Sequence, residues 1–172
     1  MNPDQGSRKP KSPRAHVGLG ERRSAARLAA VQALYQMDLT GKGLDAIITE
    51  FEHHWMGKEI EDDQYKPADS TLFRLIVQGV LDRQKRIDPT IDELLATGWP
   101  LKRIESVMRA ILRAGAWELM MAPDVPVKVV ISEYVDIARA FFEKEETSMV
   151  NAVLDRLARE VRRGELPEKG GA

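Results

Sequence analysis

The chain has 172 residues, of which 43% are apolar, contains no cysteine, and carries a formal net charge of −1. A chain of this length can bury roughly two-thirds of its unfolded surface, so it can form a core without disulfides. The lack of cysteine excludes disulfides, thiolate metal sites and cysteine nucleophiles, and it agrees with a reducing cytoplasm, where we expect the protein. No apolar run approaches the ~18 residues of a membrane span, so we expect no membrane association.

The charge is divided unevenly along the chain. Residues 1–27 contain seven basic and two acidic residues, a formal charge of +5, whereas the other 145 residues sum to −6. A basic terminal segment on an acidic body is typical of a polyanion-binding arm, because Lys and Arg release counterions from phosphates. The alternative is a solubilising leader. The prolines and glycines within residues 1–20 predict a disordered basic arm.

From Glu21 onward, each segment with a clear apolar period is helical. The predicted elements of the first half are, in order, a helix over 21–40, a helix over 44–55, an exposed loop over 56–67, and a helix that begins at Asp69 or Ser70. Gly79 in that third helix indicates a close helix crossing. Asp88 and Pro89 are expected to end it, since proline disrupts a helix interior.

Four more helices are predicted after Pro89. They are a short fourth helix that starts near Ile91 and stops at Gly98, a fifth from Pro100 to beyond Leu119, a sixth over 127–142 and a seventh over 148–163. The fifth has the clearest apolar stripe and is expected to cross the centre of the core. We therefore predict an all-α protein of about seven helices in two packed helical subdomains, 21–88 and 89–163, followed by a flexible tail over 164–172.

The sequence offers little to support catalysis. No glycine-rich phosphate loop is present, and His53 and His54 are adjacent, so they point about a hundred degrees apart on a helix and cannot both ligate one metal ion. The paired acids Asp62-Asp63 and Glu145-Glu146 have no identifiable partner base. We expect neither a catalytic site nor a metal site.

Three arginines at the start of the first helix point to RNA. Arg22, Arg23 and Arg27 are expected to be exposed, and the planar guanidinium group can bridge phosphates and stack on unpaired bases. The helix dipole slightly disfavours positive charge at this end. Helix stability therefore does not explain the cluster, which favours a functional interpretation.

Four strings in the chain resemble the transcription antitermination factor NusB family. They are Arg22-Arg23 followed by Ala30-Val31-Gln32-Ala33-Leu34-Tyr35, then Arg109-Ala110-Ile111-Leu112-Arg113-Ala114 with Glu118-Leu119, then Val125-Pro126-Val127-Lys128-Val129-Val130-Ile131 with Glu133 and Ala138, and Val150-Asn151-Ala152-Val153-Leu154-Asp155. Together they span about residues 21–161, in the order of the family.

The resemblance implies a non-catalytic, all-helical protein without a cofactor. Members of this family pair with NusE, a ribosomal protein, and bind the single-stranded boxA element of ribosomal RNA transcripts. The pair promotes antitermination by RNA polymerase. Whether the free chain is a monomer or a homodimer is left open.

The resemblance also implies site residues. The RNA-binding set is Arg22, Arg23, Arg27, Glu145, Ser148, Met149 and Asn151, of which 145–149 form an expected loop. Met149 stands where relatives have phenylalanine, and Ser148 where they have lysine, so RNA contact is expected to be weaker there. The alternative to an RNA contact for Asn151 is a structural role as a helix cap or hydrogen-bonding residue. The NusE-binding set is Tyr35, Met108 and Arg109, with Met108 in place of an acid.

Two other hypotheses are retained from the sequence. One is a helical protein-interaction module without an RNA role. The other is the NusB-like domain of ribosomal RNA cytosine methyltransferases, although this chain lacks a catalytic cysteine and a cofactor domain. Salt-dependent RNA binding would distinguish the first of these from an RNA-binding factor.

Overall fold

The computed structural model describes residues 19–53, 69–95 and 100–168. These residues form six α-helices and a short 3-10 turn, Leu101–Arg103, and none of them lies in a β-strand. The helices are α1 Leu19–Thr40, α2 Leu44–Phe51, α3 Ser70–Leu94, α4 Ser106–Met121, α5 Val127–Phe141 and α6 Lys144–Val161. The predicted all-α class is confirmed. Residues 1–18 of the predicted arm and the whole predicted loop 56–67 lie outside the described residues.

Helix α4 forms the centre of the core, as predicted for the fifth helix. It packs against α1, α3, α5 and α6, and ten of its sixteen residues are buried. Four of the ten are alanine or glycine, and such small side chains let neighbouring helices approach closely: Ala110, Ala114, Gly115 and Ala116. The helix begins at Ser106 and not at Pro100, because the 3-10 turn intervenes and its Leu101 N–H donates to Asp92 Oδ1 at 2.6 Å.

Helix α3 continues through Pro89, so the predicted helix end at Asp88 and the separate fourth helix are wrong. An interior proline costs a helix about 3 kcal/mol. Ile87, Ile91 and Leu94 are nevertheless buried by the continuing helix, and burying one aliphatic side chain is worth about 1.5–3 kcal/mol. The free energy gained by burying these three side chains therefore exceeds the cost of the proline. Gly98, the predicted end of the fourth helix, lies outside the described residues.

Helix α1 packs mainly through small side chains. Ala26, Ala29, Ala30 and Ala33 are buried beside Val31 and Leu34, whereas Leu28 and Tyr35 of the predicted stripe are only half-buried. Helix α2 ends at Phe51, whose ring stacks on Phe73 of α3 with 5.5 Å between the centroids. The prediction extends this helix to Trp55, but residues 54 and 55 lie outside the described residues.

The carboxyl-terminal end of the protein is attached to the core by one buried arginine. Arg162 follows α6, is 7% exposed, and donates to the backbone carbonyls of Glu118, Leu119, Ala122 and Val125, which end α4 and lead into α5. Two of them also accept a backbone N–H, Glu118 from Ala122 and Ala122 from Val125, so Arg162 adds to the hydrogen bonds at the end of α4. Sequence analysis did not identify Arg162, since four backbone acceptors leave no residue pattern.

The residues after α6 also contact the body. Glu165 Oε2 accepts from the Val127 N–H at 3.2 Å, and Arg159 Nη1 donates to the Pro167 carbonyl at 2.8 Å. Leu166 packs against the core. Residues 169–172, the remainder of the predicted tail, lie outside the described part of the chain. None of the described helices has the length and apolar run that a membrane crossing requires.

Candidate nucleic-acid interface

The first part of the candidate interface is the start of α1, which carries Arg22 and Arg23. Arg22 is exposed and Arg23 half-buried, and neither guanidinium group makes an ion pair or hydrogen bond to another described residue. The backbone beneath them is held in place, because the Arg22 carbonyl accepts from the Asp69 N–H at 3.0 Å. Ser24 Oγ lies 2.8 Å from Glu133 Oε1 of α5. Within the described part of the chain, the two arginines therefore present unpaired charge from a fixed stretch of backbone.

The prediction that Arg27 is exposed and faces RNA is wrong. Arg27 is 2% exposed, and its Nε and Nη2 donate to the two carboxylate oxygens of Glu118 at 2.9 Å each. Tyr134 Oη donates to Glu118 Oε2 at 2.6 Å, and Glu133 Oε1 lies 3.7 Å from Arg27 Nη1. We call Arg27, Glu118 and Tyr134 the buried polar cluster. The Arg27 guanidinium is buried and paired with Glu118, so it is not accessible to a phosphate group.

The buried polar cluster keeps its charges for electrostatic reasons. Burial alone would lower the pKa of Arg27, but the hydrogen bond and charge of Glu118 raise that pKa above its usual value. Burial raises the pKa of Tyr134 well above 10.0, and the neighbouring Glu118 carboxylate raises it further. Tyr134 therefore remains a donor, and Arg27 a cation, at neutral pH. Unlike an isolated buried charge, each member has a hydrogen-bonding partner.

The second part of the candidate interface lies on α6. Glu145, Ser148 and Asn151 are spaced by three residues, are all exposed, and so share one face of this helix. The predicted loop over 145–149 is wrong, because α6 begins at Lys144. Acidic side chains in a first helical turn suit the positive end of the helix dipole, and Thr147 and Val150 are buried beneath. Asn151 lies seven residues into the helix and is not a cap.

Met149 has a different position from its neighbours. It is half-buried and packs against the core, so only part of its side chain is available on the exposed face. Asn151 instead lines a shallow cleft between α5 and α6 of about 310 Å³, together with Ser132. Two cations, Lys128 and Arg139, and two carboxylates, Asp136 and Asp155, also line this cleft, and Arg139 is paired with Asp136 at 2.9 Å.

The predicted partner-binding residues are not equally accessible. Tyr35 is half-buried on α1. Met108 is 3% exposed, so the prediction that it contacts a partner directly is wrong: the residue that precedes Arg109 on α4 points into the core. Arg109 is 18% exposed in its side chain. Its guanidinium donates to the carbonyls of Lys102 and Ile104 at 3.0 Å each, which holds the 3-10 turn.

A charge network beside Arg109 was not predicted. Asp38 Oδ2 of α1 lies 3.2 Å from nitrogens of both Arg109 and Arg113. Arg113 also makes two hydrogen bonds to Asp88, at 2.8 and 2.9 Å. This network joins α1, α3 and α4 and balances two cations with two anions. Its members are far apart in sequence, so no local pattern indicates it.

The described residues contain no group of three His, Asp or Glu side chains placed to hold a metal ion. Together, the fold and its exposed features define a class: an all-α protein built around one central helix, with two arginines at the start of its first helix that pair with no other described residue. Residues 24–159 match the model of the NusB family. The chain is 58% identical over 156 residues to a transcription antitermination protein NusB of Bradyrhizobium sp. strain BTAi1, covering 91% of this chain and 92% of that protein. The chain belongs to the NusB family.

Solved structures agree with this assignment at the level of the fold. Thermotoga maritima NusB is 27% identical, with a TM-score of 0.68, and the match covers 83% of this chain and 95% of that one. A complex of the antitermination factors NusB and NusE with double-stranded RNA contains a chain that is 23% identical, with a TM-score of 0.67, over 80% of this chain and 96% of that one.

Proposed function

We propose that this protein is a cytoplasmic, non-catalytic transcription antitermination factor that binds boxA-type RNA of ribosomal RNA transcripts together with the ribosomal protein NusE. The pair then acts on RNA polymerase to promote antitermination. The observation that carries the RNA-binding role is that Arg22 and Arg23 pair with no described residue and lie at a helix start whose backbone is held in place. A guanidinium group on a fixed backbone position loses only its side-chain freedom when it binds phosphate.

The rest of the RNA path is assigned to the exposed face of α6. Ser148 and Asn151 offer hydrogen-bonding groups there, and the cleft between α5 and α6 lies beside Asn151. Ser24 and Glu133 link the start of α1 to α5, so both arginines and the cleft are organised around α5. Glu145 would repel phosphate, which favours an RNA path that crosses this face at Ser148 and Asn151.

We assign the NusE-facing surface to the carboxyl-terminal half of α1 and the start of α4. Tyr35 offers a half-buried ring with a polar hydroxyl, a type of residue that is frequent in protein interfaces. Arg109 contributes through the position of the 3-10 turn that it holds. Met108 lies beneath this surface and supports it by packing.

The proposal is tested by replacing Arg22 and Arg23 together with Gln and titrating a boxA-type RNA at two salt concentrations. We expect the fold to be retained, the affinity to fall, and the salt slope to decrease by about 0.7 for each lost phosphate contact on a single strand. The matched control is Arg83→Gln with Arg86→Gln, since both residues are exposed on α3 and the charge change is the same.

Equal affinity losses in the two double variants would show that only net charge affects RNA binding. The assignment of Arg22 and Arg23 as RNA-contacting residues would then be wrong. If the parent binds no RNA with or without NusE, the protein is a helical interaction module instead. The methyltransferase alternative is disfavoured, because the similar curated protein is named for antitermination and is covered over 92% of its length.

A further inference from the structure

A groove of about 620 Å³ lies between α2 and α3, on a surface that the proposed RNA and NusE sites do not use. We call it the α2–α3 groove. Among the described residues, its charged side chains are three carboxylates, Asp45, Glu52 and Asp82, and one guanidinium, Arg74, which pairs with Glu52. Leu75 lines the same groove and is 53% exposed. The groove thus combines an acidic rim with an exposed apolar wall.

Trp117 of α4 lines this groove, and its indole N–H is a hydrogen-bond donor. Its side chain is 9% exposed, and its indole N–H has no acceptor among the residues that the structure describes. The ring lies directly on α3, because a Cβ atom on Gly79 would come within 2.1 Å of Trp117 Nε1. An indole N–H that borders an open groove can donate to a carbonyl group bound there.

Residues 8–14 of the same chain have the chemistry that this groove requires. Their sequence, Arg-Lys-Pro-Lys-Ser-Pro-Arg, contains four cations and no anion. Pro10 and Pro13 are three residues apart, which is one turn of a polyproline II helix. Such segments bind to aromatic grooves, and their backbone carbonyls, which make no internal hydrogen bonds, accept from groove donors.

The first described residues of the chain lie close enough for this contact. The start of α1 is beside the start of α3, where the Asp69 N–H donates to the Arg22 carbonyl. Gly79 lies nine residues beyond Ser70, about 14 Å along α3. The six residue steps from Pro13 to Leu19 can span about 20 Å when extended. We propose that residues 8–14 dock in the α2–α3 groove, with a backbone carbonyl on the Trp117 N–H and the cations against the acidic rim.

Disulfide trapping in the full-length chain tests the proposal, since the protein has no cysteine of its own. The test pair is Ser12→Cys with Thr49→Cys, because Thr49 is exposed and lines the groove. The control pair is Ser12→Cys with Ser148→Cys, on the exposed face of α6. We expect the intrachain disulfide, seen as a faster band on a non-reducing gel, to form several-fold faster in the test pair.

A second background separates docking from chance encounter. Replacing Arg8, Lys9, Lys11 and Arg14 with Gln should reduce the rate of the test pair to that of the control pair. In otherwise unmodified full-length protein, the same four substitutions should shift the Trp117 indole N–H resonance, which is assigned with Trp117→Phe. Equal rates for the two pairs, or an unchanged resonance in the Gln variant, would overturn the proposal. A mainly interchain disulfide would assign the groove to a second copy.

Discussion

Arg22 and Arg27 are five positions apart on one helix and have opposite environments. Arg22 is exposed and pairs with none of the residues that the structure describes, whereas Arg27 is held by Glu118 inside the core. Removing one partner of a buried ion pair leaves the other charge without compensation. Arg27 must therefore be substituted separately from Arg22 and Arg23, because a triple Ala variant would mix a loss of RNA contact with a loss of stability.

At the residue scale, we predict that Arg27→Met lowers the free energy of unfolding by about 3–5 kcal/mol, because it strands the buried Glu118 carboxylate. Arg22→Met should change this free energy by about 0.5 kcal/mol or less. Urea unfolding measures both. Adding Glu118→Gln to Arg27→Met should recover part of the loss, since the charge is removed while an acceptor for Tyr134 remains. Equal stability of the two Met variants would contradict the buried pairing.

Tyr134 makes the free energy of unfolding depend on pH in the alkaline range. Its pKa is raised by burial and by Glu118, while in the unfolded chain it is near 10. Below that value both states hold the proton, and the stability from the buried hydroxyl is fully present. Above it the unfolded state releases the proton first, so the free energy of unfolding falls, by up to about 1.36 kcal/mol per pH unit.

The matched variant for this effect is Tyr134→Phe. The stability advantage of the parent over the Phe variant should shrink as the pH rises from about 9 to about 11, because only the parent has the hydroxyl that titrates. Urea titrations at each pH measure this difference. A constant difference across the range would mean that Tyr134 ionises normally in the folded protein.

At the element scale, the contact between α3 and α4 depends on Gly79. Gly79→Ala gains about 1 kcal/mol of helix propensity, but the new methyl group would lie on the Trp117 ring, and overpacking of this kind costs about 1–3 kcal/mol. We predict a lower melting temperature. The control is Gly20→Ala in α1, where a Cβ meets nothing within 4 Å, and which should be neutral or stabilising. A stabilised Gly79→Ala variant would show that the two helices separate easily.

Helix ends were harder to predict than helix interiors. A proline signals a helix end locally, yet α3 passes Pro89 because Ile87 and Ile91 are buried on both sides of it. At α6, the family resemblance implied a loop over residues 145–149, whereas Glu145 and Glu146 occupy the first turn of a helix. In both places a tertiary contact or the helix dipole decided the boundary, and neither is visible in the apolar spacing alone.

At the scale of the whole molecule, the charge distribution predicts cooperation with the partner. The chain beyond residue 27 is net acidic, and Arg27 does not contribute to the RNA-binding surface. We therefore expect weak RNA binding by the free protein. NusE should raise the affinity by about 5- to 150-fold, the usual range of coupling between two sites. A fluorescence titration of labelled RNA, with and without NusE, measures this factor, and a factor of one would contradict RNA binding across both proteins.

The amino-acid sequence by itself determined the all-α class, the central position of α4 and the family, because apolar spacing and ordered strings are properties of the chain alone. It also placed Arg22, Arg23 and Tyr35 on the first helix. Only the tertiary structure decided that Arg27 is internal, since its partner Glu118 is 91 residues away. The tertiary structure likewise decided that Trp117 packs against Gly79 and that Arg162 donates to backbone carbonyls at the end of α4. Contacts between distant residues depend on how the helices pack, and the helical period of each segment is compatible with many packings.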